Sequence, residues 1–98
     1  MAISVIWDSD DDPRGNVQHI ALHGVTQSEV EEVLDDHYED YFLSREEPHN
    51  PITFGNTTTG KYIAVVFEVV EADPPTVYPI TAYEAPPPGR PKRGKRKR

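Results

Sequence analysis

The run KYIAVVFEVV, Lys61 to Val70, is the most apolar stretch of a chain otherwise dense in charge and proline, and it constrains the fold more than any other segment. Rich in β-branched and aromatic residues, it predicts a central strand buried on both faces over much of its length. TTTG before it and ADPP after it read as tight turns. The flanking segments ITFGNT and TVYPITAYEA therefore pair with it as antiparallel hairpins. Pro79 has no amide to donate, which places the last strand at an edge or puts a bulge there.

Upstream of this meander the grammar is helical. Thr26 and Glu29 have the spacing of a capping box, and Val25 with Val30 can close a hydrophobic staple over it. Val30, Val33 and Leu34 then face inward, while Glu29, Glu31, Glu32, Asp35 and Asp36 cover the outside. The two aspartates oppose the helix dipole, so the helix is expected to stop near them. A shorter helix precedes it, starting at Asp12 or at Asn16, with Val17, Ile20 and Ala21 as its apolar stripe and Gly24 as its left-handed stop. Ile3 to Trp7 is a short strand with Trp7 as a core anchor, and Tyr38 onward turns to strand. The expected fold is α+β: an N-terminal strand, a helix pair, then an antiparallel meander of about four strands whose inner face the helices cover.

Charge divides the chain in two. Residues 1–85 hold all 17 acids and only three bases, Arg14, Arg45 and Lys61, a formal charge of −14; seven bases in residues 90–98 add +7, which gives the net −7. The chain thus reads as one domain over residues 1–85, followed over 86–98 by a disordered Pro/Lys/Arg-rich tail. Arg90, Lys92, Arg93, Lys95, Arg96, Lys97 and Arg98 suit a polyanion, whereas the body repels one unless a few bases converge. With no cysteine there is neither disulfide framework nor thiolate metal site. The absence of a basic leader and of any long apolar run argues against a membrane role and for a soluble, cytoplasmic protein.

Trp7-Asp8, Asn16, His23 to Thr26 (HGVT) before an acidic helix, Gly55, Gly60-Lys61 before the apolar strand, and Ile80 to Ala82 occur in an order that resembles the BrnT family of small toxins. Those are the toxic halves of bacterial type II toxin–antitoxin pairs, with a RelE-like ribonuclease fold. The resemblance implies a ribonuclease toxin that cleaves RNA without metal or other cofactor and is neutralised by a cognate antitoxin protein. In that family a Lys usually precedes the histidine of HGV, where this chain has Leu22, and two arginines flank the closing segment, where it has Tyr78 and Tyr83. The arginine usual before the third strand is offered here only by Arg45, at a shifted spacing, and PPPGRPKRGKRKR stands in place of the last helix.

Cleavage of RNA through its 2′-hydroxyl needs a base, an acid and a cation on the phosphorane. His23 is the natural base, Arg45 and Lys61 the candidate phosphate holders, and Tyr78 and Tyr83 candidate donors or stacking groups. Five residues apart, the tyrosines fall on opposite faces of a regular strand unless an irregularity at Pro79 realigns them. Each residue also has a plain structural reading: His23 as a helix cap, the tyrosines as strand formers, Lys61 as a solvated hairpin residue, Arg45 as a partner of Glu46 or Glu47. His19 and His23 stand at metal-ligand spacing, without the intervening Glu of the metalloprotease motif. The alternative to catalysis is a binding module of the same fold, with the acidic body receiving a basic protein or the tail tethering nucleic acid.

Overall fold

In a computed structural model the described residues are 3–87, so the expectation of a disordered tail lies almost wholly outside them. The element order is β1 (Ser4–Val5), α1 (Asn16–Leu22), α2 (Gln27–His37), β2 (Phe42–Leu43), β3 (Pro51–Asn56), β4 (Tyr62–Glu71) and β5 (Thr76–Glu84). The strands form one sheet in the order β1-β5-β4-β3-β2, with the apolar run at its centre. Hairpins join β2 through β5 as antiparallel neighbours, whereas β1 returns to lie parallel to β5. The sheet is therefore mixed.

Both helices pack on one face, α1 on β5 and α2 on β3 and β4. Ile20, Val25, Val30, Val33 and Leu34 meet Ile63, Val65, Phe67, Val77 and Ala82, and Ile3, Val5, Trp7 and Tyr38 close the margins. Trp7 is a marginal anchor rather than a central one, half-buried with its indole N–H donating to Glu31 Oε2 at 2.7 Å. Alternation along β4 explains the division: Ile63, Val65 and Phe67 point at the helices. Beyond Phe67 the strand leaves the core, and Glu68 to Glu71 are exposed.

α2 starts as its sequence dictates. Thr26 accepts from the amide of Glu29, whose carboxylate accepts from the amide of Thr26, and each satisfies a donor that the first helical turn leaves free. Its end falls where the two aspartates implied, one residue past Asp36 at His37, with Tyr38 as the C-cap. The strand expected from Tyr38 shrinks accordingly to Phe42–Leu43. α1 begins at Asn16 with Gly15 as its N-cap, and Ala21, expected to be inward, is exposed. Gly24 follows with φ +77°, the left-handed conformation that glycine adopts without a steric penalty.

At Pro79 the strand carries the irregularity its missing amide implied. Val66 pairs with Thr81 and Phe67 with Pro79, so Ile80 is an extra residue in β5. This bulge shifts the side-chain alternation by one. Tyr78 and Tyr83 have Glu68 and Ala64 as cross-strand partners, four apart in β4, and so belong to the same sheet face.

Phe67 is fully buried between the helix layer and the rings of Tyr38 and Tyr41. Phe67→Ala is expected to lower unfolding stability by about 3–5 kcal/mol, read as a shift in urea midpoint with little change in slope.

Candidate functional site

The sequence-derived site residues divide into separate groups in space. Arg45 lies in the connection between β2 and β3, and Lys61 just after the other end of β3. Six residues of strand at about 3.3 Å each, some 20 Å, separate the two ends. One phosphate cannot be held by both. Among the described residues Arg45 has no ion-pair partner, and the nearby Glu47 lies instead 3.5 Å from His49.

Lys61 has a structural assignment. Its ammonium donates to the Gly24 carbonyl and, at 3.1 Å, to Glu29 Oε1. Glu29 was expected on the outer face of α2, yet it is 3% exposed. Its second oxygen accepts from the Thr59 hydroxyl, which in turn contacts the Thr57 hydroxyl at 2.6 Å. Burial pushes the Glu29 carboxyl up, but the hydrogen bonds from Thr59, the Thr26 amide and Lys61, together with the lysine's charge, outweigh it and hold the group below its ordinary value. The β3–β4 turn is thereby fastened to the start of α2, and Glu32 adds a bond to the Thr58 amide at 2.9 Å. Lys61 is thus not simply a solvated hairpin residue, and its ammonium already has two acceptors.

His23 closes α1 through its backbone amide, which donates to Ile20 at 2.9 Å. Its exposed ring stands edge-on to His19 at 5.3 Å and to Tyr83 at 6.4 Å between centroids. Gly24, bonded to Lys61, is the next residue, so His23, Tyr83 and Lys61 occupy one end of the molecule. Leu22 is 83% exposed beside them, an apolar side chain where the BrnT pattern has a cation. The two histidines do neighbour each other as their spacing implied. Among the described residues no group of three His, Cys, Asp or Glu is gathered for a metal.

Tyr78 belongs to a different cluster. Its hydroxyl donates to Asp8 Oδ2 at 2.6 Å, and that bond, with burial and the charges of Asp8, Asp12 and Glu68, pushes the phenol up to about 12. The same bond, then the Asn16 amide, hold Asp8 below its ordinary value despite some burial. Asn16, 2% exposed, is the centre: its side chain accepts from the Asp8 amide at 2.9 Å and donates to the carbonyls of Ile6 at 3.1 Å and Pro79 at 3.0 Å. Its own amide donates to Asp8 Oδ2 at 3.0 Å. Asp8 and Asn16 tie β1, α1 and the bulged strand together, a role that sequence spacing alone did not reveal.

Comparison with protein-family models, with curated proteins and with solved structures gives no match. Among the described residues no helix is long and apolar enough to cross a membrane.

The lowered Glu29 pKa fixes a sign. A carboxylate with a folded pKa below its unfolded value contributes stability above the unfolded value, 4.5, and loses it as pH falls through the folded one. Urea midpoints measured between neutral pH and about pH 3 should fall on acidification in the parent chain. They should fall less steeply in Glu29→Gln, from a lower starting stability.

Proposed function

We propose that this protein is a nucleic-acid-binding module with a BrnT-like scaffold, in which the bases of residues 90–98 hold RNA and the body performs no cleavage. The observation that carries this reading is the engagement of Lys61 by Glu29 and Gly24, with Arg45 beyond the far end of β3. Phosphoryl chemistry needs positive charge converging on one oxygen, and a body with 17 acids has no third cation to supply it there: Arg14 precedes α1, at the end opposite His23. Attraction for polyanions then falls to Arg90, Lys92, Arg93, Lys95, Arg96, Lys97 and Arg98.

A second reading, the ribonuclease toxin with an antitoxin partner, draws support from His23 and Tyr83. An imidazole and a phenol with ring centroids 6.4 Å apart are groups able to exchange protons with a ribose and a leaving oxygen. Among the described residues the cation at this end, Lys61, is engaged by Gly24 and Glu29.

One set of measurements separates the two. The full chain is expected to bind RNA with a log–log salt slope of about −5, as for seven phosphate contacts to a single strand. Replacing all seven bases by glutamine should abolish both the affinity and the slope. No cleavage is expected from the parent chain or from His23→Ala at any pH. Cleavage by the parent that His23→Ala abolishes would instead establish the toxin reading, and undiminished binding by the glutamine variant would overturn the tail as the binding element.

A further inference from the structure

Both helices cover one face of the sheet, and the other face bears a continuous aromatic row. Register places Phe42, Ile52, Val66 and Thr81 in one line across the strands, Phe54, Ala64 and Tyr83 in the next, and Asn56 opposite Tyr62. Gly55 and Ile63 alternate to the helix side, where a Cβ on Gly55 would strike the His37 ring at 2.5 Å. Phe42 is 64% exposed, and its ring centroid lies 6.1 Å from that of Phe54. Phe54 and Tyr62 stack with centroids 6.0 Å apart and planes at 14°. Three rings thus step across β2, β3 and β4 on the uncovered side.

The row ends where the chain leaves the sheet. The Ala85 amide donates to the Tyr62 carbonyl at 2.9 Å, and an open hollow of about 490 Å³ is lined by Asn56, Gly60, Lys61, Tyr62, Glu84, Ala85 and Pro87. The first tail base, Arg90, comes three residues after Pro87. Eleven residues from 88 to 98 reach at most about 36 Å, whereas three strands at about 4.8 Å spacing span about 10 Å. The length of that segment is thus enough for its seven cations to reach a polyanion lying on the rings. Glu29, Glu31, Glu32, Asp35 and Asp36 belong to α2 on the other side; Glu84 lines the hollow, Glu68 stands opposite Tyr78 at the far end, and Glu39, Asp40, Glu46 and Glu47 lie in the connections on either side of Phe42 and Leu43.

One exposed ring, Phe42, continued by the half-buried Phe54 and Tyr62 beside a polycation, matches one chemistry closely. Every unpaired base offers a π face to stack, and every linking phosphate a negative charge to neutralise; a duplex offers only the second. We propose that the helix-free sheet face is a stacking platform for single-stranded nucleic acid, with Phe42, Phe54 and Tyr62 taking unpaired bases while residues 90–98 hold the phosphates. The platform rests on the reading of the tail as the polyanion-binding element, and adds to it the form of nucleic acid selected.

The test uses the full chain with an unstructured RNA of about twelve nucleotides and a duplex of the same length. Single-strand binding is expected to be about tenfold tighter than duplex binding. Phe42→Ala and Tyr62→Leu should each remove about five- to tenfold of the single-strand affinity while leaving the duplex affinity, the salt slope and the melting temperature in place. Phe42 is exposed enough for its substitution to spare the fold. Equal affinity for the two forms, or a single-strand preference that both substitutions leave unchanged, overturns the platform while tail-dependent binding stands. Self-association of the parent abolished by Phe42→Ala, without a single-strand preference, overturns it in favour of a protein interface. Binding undiminished after replacement of the seven tail bases overturns the functional reading instead, and is recognisable because the salt slope then persists.

Discussion

The buried carboxylate of Glu29 is the constraint on which much else depends. A charge that loses water must find donors, and three reach this one: the Thr26 amide, the Thr59 hydroxyl, itself in contact with the Thr57 hydroxyl, and the Lys61 ammonium. Capping α2 and fastening the β3–β4 turn are therefore one interaction seen from two sides. The cost is electrostatic. One of three body bases is committed to an internal acid, which leaves the net charge of the body at −14 but only two bases, Arg14 and Arg45, outside that pair.

A second hub compensates for a weakness of the sheet. β1 pairs with only the first two residues of β5, which would leave the rest of that edge open. Asn16 meets it at Pro79, where the bulge turns a carbonyl toward α1, and Asp8 locks the arrangement by accepting from both Asn16 and Tyr78. Of the residues whose order resembles the BrnT pattern, Asp8, Asn16, Gly24, Thr26 and Lys61 take part in these structural contacts. A shared pattern of such residues speaks for a scaffold before it speaks for a chemistry.

The proposed binding module would divide its labour: the body would supply shape and ring faces, and attraction for polyanions would reside in a segment of opposite charge. Such a module gains affinity from charge and selectivity from stacking, two terms that respond differently to salt and can be varied independently.

Sequence by itself determined what local physics governs: the capping box at Thr26 and Glu29, the left-handed Gly24, the turns that make β2 through β5 antiparallel, the central place of the apolar run, and an irregularity near Pro79. His23 beside His19 was equally legible, because helical periodicity fixes neighbours four residues apart. Tertiary structure alone decided that β1 returns parallel to β5, that Glu29 turns inward to meet Lys61, that Tyr78 and Tyr83 share a face, and that Arg45 stands a strand's length from Lys61. The reason is range. Caps and turns close within a few residues, whereas the partner of a buried charge, or the phase of a strand beyond a bulge, is set by segments tens of residues away whose packing no local pattern encodes.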